Sequence, residues 1–170
     1  MDTSHDTEIQ EIKKFYDRFL GWDVLSAGDV AQILGISRRK VMLYVEQGII
    51  SPTVQAEGPG RHRKFSVGDL ALFMLCYHLD KIGLAPRRLQ EIGPQVASFF
   101  KVPFGEGVRP TSITFFWDGE GDVIRIVEAQ VGDVPTEIAL DYYAIIQVNL
   151  RKLEIDSVES YNRFAVKKRG

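Results

Sequence analysis

The sequence has little cysteine, little histidine and no long apolar run. Its single cysteine, Cys76, cannot form an internal disulfide, and its three histidines form no cluster that predicts a metal site. No apolar stretch among the 170 residues approaches the roughly 20 that are needed to span a bilayer. The acidic, polar N-terminus is not typical of a signal peptide. These absences favour a cytoplasmic protein without a membrane partner.

Motifs of catalysis are missing as well. The chain has no phosphate-binding loop, no nucleophile–base pair and no paired carboxylates in a recognisable frame. Asp118, Glu120 and Asp122 lie close together, but this segment lacks the length and the terminal glutamate of an EF-hand loop. We therefore expect that the protein is not an enzyme and that it binds no cofactor and no metal.

The charges that are present are unevenly distributed. Residues 35–65 carry six basic side chains against two acidic ones, a net charge of +4 in a chain whose total is −2. A basic island in an acidic protein indicates a local site for a polyanion rather than general adhesion to charged surfaces.

Two short helical patterns separated by Gly35 lie within residues 25–66. Ser26 is suited to cap the first helix, and Ser37 is suited to cap a second helix over about residues 38–47, because a serine hydroxyl accepts a backbone N–H of the first turn. Gly35 can adopt the left-handed conformation that a tight turn between two helices requires. The pattern predicts a helix-turn-helix.

The second helix begins with three cations, and a basic strand follows it. Arg38, Arg39 and Lys40 lie at the helix end where the dipole prefers acids, so helix stability does not account for them. In a helix-turn-helix this end enters the major groove, where arginine binds guanine or phosphate. A loop rich in glycine and proline then leads to a basic returning strand, which is typical of a wing that contacts phosphates. The DNA-binding residues predicted from these two segments are Ser37, Arg38, Arg39, Lys40, Arg61, His62, Arg63 and Lys64.

Spaced motifs across residues 25–95 resemble the DNA-binding domain of the MerR family of transcription regulators. They are Asp29-Val30-Ala31 with Gly35-Ile36-Ser37, then Tyr44, Gly48-Ile49-Ile50 with Pro52, Arg63-Lys64-Phe65-Ser66, and Asp69-Leu70. The resemblance implies a winged helix-turn-helix that binds and distorts promoter DNA and so acts on RNA polymerase indirectly. It also implies that Arg63 and Tyr44 reach the DNA backbone, and that Arg87 or Arg88 adds a phosphate contact.

Two departures from the family pattern bear on the footprint and on the dimer. Met42 and Leu43 stand where the family has an arginine and its first tyrosine, so one usual backbone contact is missing. The family's coiled-coil helix is also missing, because Gly93-Pro94 is expected to end the fourth helix and no heptad repeat follows. A homodimer is nevertheless expected, since one recognition helix and one wing read little DNA. Its interface is placed in residues 7–20, in the segment 94–101 or in the C-terminal domain.

We expect an α+β protein in four parts. They are an N-terminal amphipathic helix in residues 1–22, the winged helix-turn-helix in 23–100, a linker in 101–110 and a small β-rich dimerisation or effector domain in 111–170. Strands are predicted at 111–117, 123–129 and 146–150, and the tail from Glu154 is compatible with a helix. The aromatic residues of this domain serve as core, as a dimer surface or as the lining of an effector pocket, and the candidates for that lining are Phe115, Trp117, Tyr142 and Tyr143.

Together these features predict a sequence-specific transcription regulator that binds double-stranded promoter DNA as a homodimer, with a small-molecule effector left open. The alternative is an architectural or excision-type DNA-binding module, or a protein-interaction module, that uses the same helix-turn-helix surface without sensing a ligand.

Overall fold

The computed structural model describes residues 25–54, 62–101, 112–117, 123–129 and 144–169. In chain order the elements are α1 (Ala27–Leu34), α2 (Arg38–Glu46), α3 (Val67–Lys81), α4 (Pro86–Lys101), β1 (Ser112–Trp117), β2 (Val123–Ala129), β3 (Ala144–Asn149) and α5 (Leu150–Arg169). The helices with a small antiparallel sheet confirm the predicted α+β class. The predicted N-terminal helix, the 101–110 linker beyond Lys101 and the 118–122 loop lie outside the described residues.

The chain forms two compact units, Met1–Gly107 with Glu154–Gly170, and Val108–Leu153. The sequence predicts one domain over 111–170, and the structure differs because most of α5 belongs to the first unit. Phe164 of α5 is buried there, and Lys168 lies 3.0 Å from Asp29 of α1. Contacts distant in sequence therefore determine where the C-terminal helix belongs.

Local hydrogen bonds set the ends of α1 and α2 as the sequence predicts. The Ser26 hydroxyl accepts the Asp29 N–H at 3.1 Å, and the Asp29 carboxylate accepts the Ser26 N–H at 2.9 Å, which forms a capping box. Gly35 ends α1 in the left-handed conformation with φ of 65°. The Ser37 hydroxyl then caps α2 by accepting the Lys40 N–H at 3.1 Å. The predicted helix-turn-helix is confirmed by these contacts.

The core of this unit is built on α3, whose residues are buried from Val67 to Cys76. The Phe65 and Phe73 rings meet edge to face with centroids 5.2 Å apart, which joins the wing strand to this helix. The wing base consists of two backbone pairs, Leu25 with Phe65 and Val54 with Lys64. The segment around Lys64 is therefore held on both sides.

The fourth helix is longer than the sequence predicts. The sequence predicts an end at Gly93-Pro94, but α4 continues to Lys101. Its buried side chains follow helical spacing across the proline and comprise Leu89, Ile92, Val96 and Phe100. Pro94 has no N–H to donate to the Gln90 carbonyl. Both residues are exposed, so water can hydrate that carbonyl. Burial of the apolar stripe offsets the lost bond, and the helix therefore continues through the segment 94–101.

The sheet has the strand order β2-β1-β3, and both neighbours pair antiparallel with β1. In this register Phe115 lies opposite Ile126 on one side and Ile146 on the other. β3 ends at Asn149, and Leu150 begins α5 instead of ending the strand as predicted. Within the described residues, no helix is both long enough and apolar enough to cross a membrane.

Candidate nucleic-acid interface

An open cleft of about 420 Å³ lies where three segments of the helix-turn-helix unit meet. They are the start of α1, the outer face of α2 and the returning strand of the wing. The lining residues are Ser26, Ala27, Gly28, Arg38, Met42, His62, Arg63 and Lys64. This lining contains three permanently charged cations and no acid, so the cleft is suited to an anionic ligand.

The recognition helix α2 presents Arg38 and Arg39 on an exposed surface. Among the described residues neither arginine forms an ion pair, so their charges are available to a ligand. Ser37 is exposed too, but its hydroxyl is already the cap of the helix. Met42 lies one turn after Arg38 and lines the same cleft. The sequence prediction omitted Met42 from the site, although its i, i+4 spacing from Arg38 puts the two side chains on one face.

Lys40 makes a different contact from its two neighbours. Its ammonium lies 2.8 Å from the Asp80 carboxylate of α3 and 5.1 Å from the centre of the Tyr44 ring. The predicted DNA contact is therefore partly neutralised by an acid and connects α2 to α3.

Tyr44 lies in the core rather than on the surface that the family resemblance implies. Its side chain is 1% exposed, its ring centroid lies 6.3 Å from that of Phe73, and its hydroxyl donates to Asp80 at 3.4 Å. Burial and the nearby Asp80 charge raise the pKa of the Tyr44 hydroxyl. Tyr44 and Val41 are the buried residues of α2, and Tyr44 packs the recognition helix against the core.

The wing strand brings His62, Arg63 and Lys64 to the cleft together. Strict strand alternation predicts that Arg63 and Phe65 share one face and that His62 and Lys64 share the other. The structure differs because only Lys64 and Phe65 are in backbone pairs, and Phe65 alone turns into the core. Arg61, which is also predicted to bind DNA, lies outside the described residues.

Arg87 and Arg88 at the start of α4 do not line the cleft. Arg88 lies 2.8 Å from the Glu91 carboxylate, and Arg87 lies 3.8 Å from the same group. Their side chains differ in exposure, 82% for Arg87 and 15% for Arg88. Arg87 is therefore the more accessible of the two predicted phosphate contacts.

The predicted effector residues are only partly described. Phe115 is buried in β1, whereas Tyr142, Tyr143 and the Trp117 side chain lie outside the described part of the chain. The effector pocket therefore stays a prediction.

Residues 24–75 match the family described as a helix-turn-helix domain. The matched segment runs from just before α1 into α3 and includes all the residues that line the cleft. No curated protein matches the chain in sequence. The chain thus carries a helix-turn-helix domain, and this class of domain indicates DNA binding.

Proposed function

We propose that the protein is a sequence-specific DNA-binding regulator of transcription. The observation that carries the proposal is the acid-free basic cleft between α1, α2 and the wing strand. In this arrangement the start of α2 enters the major groove and the wing strand lies along the phosphate backbone.

The cations of the cleft divide into two roles in this proposal. Arg38 and Arg39 begin the recognition helix, where an arginine can bind a guanine edge or a phosphate through two parallel hydrogen bonds. Arg63 and Lys64 bind phosphates and fix the register of the protein on the duplex. Lys40 holds the recognition helix in place through its ion pair with Asp80.

The finer identity that we propose is a MerR-like, cytoplasmic homodimer that distorts promoter DNA and thereby alters engagement by RNA polymerase. The spaced motifs of the winged unit support this assignment, and so does the wing base that closes on Leu25. Two copies are required because one recognition helix and one wing cover about half of a typical operator.

The first experiment is selection from random duplexes with the full-length protein. A palindromic consensus is expected, and its half-site spacing then reports the geometry of the dimer. Recovery of no consensus, with binding to all duplexes alike, would support the architectural alternative instead.

The second experiment measures affinity for the selected duplex by fluorescence anisotropy over a range of salt concentrations. The slope of log K against log salt should be steeply negative. Its magnitude should decrease by about 0.9 for each phosphate contact removed by Arg38→Ala or Arg39→Ala. An arginine that reads a base should instead cost about 1–3 kcal/mol on the consensus and little on other duplexes. Lys152→Ala is the matched control, since this exposed lysine belongs to the other compact unit. A binding curve that is flat with salt would refute DNA binding.

A further inference from the structure

The end of α5 lies against α1 of the helix-turn-helix. The Lys168 ammonium is 3.0 Å from the Asp29 carboxylate, and the two side chains are 64% and 18% exposed. The same ammonium lies 5.3 Å from the centre of the buried Phe164 ring, which anchors this turn of the helix. Lys167 is exposed and lines a small cavity of about 110 Å³ with Asp29, Gln32, Phe164 and Lys168. Two cations from the far end of the chain are thus held beside the first helix.

The acid that Lys168 contacts directly follows three residues of the cleft lining in α1. Ser26, Ala27 and Gly28 line the cleft, and Asp29 follows them directly in α1. In a helix-turn-helix bound to DNA the first helix crosses the sugar-phosphate backbone. Asp29 is therefore an acid at the edge of the surface that a phosphate would approach, and Lys168 neutralises it.

Asp29 is ionised under ordinary conditions. Partial burial by itself raises the pKa of this carboxyl, but hydrogen bonds from Ser26 and the charge of Lys168 outweigh burial and bring the pKa below its ordinary value. Without Lys168 the first helix would present an uncompensated negative charge to the backbone. Lys168 is largely exposed, and Lys167 forms no ion pair among the described residues. The two lysines outnumber Asp29, so the net charge of this group is positive.

We propose that the last turn of α5 is a third DNA-contacting element, in which Lys167 and Lys168 each bind a backbone phosphate beside α1. The inference rests on the proposed DNA-binding function and extends the contact surface beyond the recognition helix and the wing. It gives a role to basic residues that lie outside the DNA-binding residues predicted from the sequence. In the structure α5 continues to Arg169 and includes them.

The test uses the full chain and the duplex recovered by selection. Lys167→Ala combined with Lys168→Ala should reduce the salt slope by up to about 1.8, since each lost phosphate contact removes about 0.9. If the variant and the wild type bind equally at 1 M salt, each lost contact lowers the affinity at 0.1 M salt by about eightfold. Lys152→Ala, which removes one positive charge from the first turn of the same helix, should leave the slope unchanged.

A second variant separates phosphate binding from a purely structural ion pair. Asp29→Asn breaks the same pair as Lys168→Ala, but it removes a negative charge from the proposed backbone surface. Phosphate binding predicts opposite signs, with weaker DNA affinity for Lys168→Ala and affinity at least equal to wild type for Asp29→Asn. If both variants weaken binding to the same extent, the pair only fastens α5 and the proposal is overturned.

Comparison with the recognition helix keeps this test distinct from that of the proposed function. If the double lysine variant binds as the wild type does while Arg38→Ala and Arg39→Ala reduce the slope, the third contact is refuted and DNA binding by the cleft is retained. If none of these variants changes either the salt slope or the affinity for the consensus duplex, the proposed function itself fails. Circular dichroism melts of each variant should show that the fold is intact at the assay temperature.

Discussion

A single methyl group added at Gly93 tests how closely α4 packs against the turn that follows the recognition helix. A Cβ at this position would lie 2.3 Å from the Ile49 carbonyl oxygen and 3.0 Å from Ile49 Cγ2. Ile49 is itself held by its N–H, which donates to the Tyr44 carbonyl at 2.9 Å. The clash therefore falls on the backbone of the turn after α2 and not on a side chain that can turn away.

The expected cost follows from these distances. Carbon–oxygen contacts are normally about 3.3 Å or longer, so α4 and the turn would have to separate by about 1 Å. Overpacking of this kind costs about 1–3 kcal/mol and occasionally more, and alanine regains about 1 kcal/mol of helix propensity over glycine. Because the opposing atom is backbone, we expect the upper part of that range and a net loss of about 2 kcal/mol in the free energy of unfolding.

Gly28→Ala is the matched control, since Gly28 is also helical and its nearest neighbour to a new Cβ is the Ser26 hydroxyl at 3.6 Å, an ordinary contact. This variant should gain about 0.5 kcal/mol or more by reducing the entropy of the unfolded chain. Urea denaturation of both variants, followed by circular dichroism, measures the difference. If Gly93→Ala is as stable as the wild type or more stable, then α4 does not approach Ile49 as described.

Two further predictions concern buried groups of the same unit. Burial raises the pKa of the Cys76 thiol to about 12. Native protein at pH 8 should therefore react with a thiol reagent far more slowly than protein unfolded in urea. Equal reaction rates would contradict the burial of Cys76. Because this folded-state pKa lies above the ordinary value of 9.0, the thiol's contribution to stability is complete below about pH 9 and is lost as the pH rises towards 12. Asp69 is buried and accepts hydrogen bonds from the Thr53 N–H, the Thr53 hydroxyl and the Ser66 N–H, so Asp69→Ala should lower the free energy of unfolding by about 3 kcal/mol. Asp69→Asn keeps an acceptor oxygen and should lose less stability than Asp69→Ala. Both variants should show faster amide exchange at Lys64 in the wing base. Equal losses of stability would show that Asp69 does not stabilise the fold through these hydrogen bonds.

The helix-turn-helix follows from local signals in the sequence. Ser26, Gly35 and Ser37 act within four residues of themselves, through capping bonds and a left-handed turn, so their effect can be read without knowledge of the fold. The same local rules located the segments that supply Arg38 and Arg63 to the cleft, because a basic helix start and a basic returning strand are both visible as sequence.

Which of these residues are accessible to a ligand depends instead on long-range packing. Lys40 and Tyr44 look like surface contacts from their place in α2, yet both meet Asp80, which is distant in sequence and near only after α3 packs against α2. Gly93-Pro94 is a strong local signal for a helix end, but burial of the stripe on both sides of it outweighs one lost hydrogen bond.

The contact between Lys168 and Asp29 joins residues 139 positions apart, and no local pattern predicts it. Capping and turn signals depend on bonds between near neighbours, and so they can be predicted from the sequence. The contact of α5 with α1 depends on where the folded chain brings the two helices together, and it therefore becomes visible only in the tertiary structure.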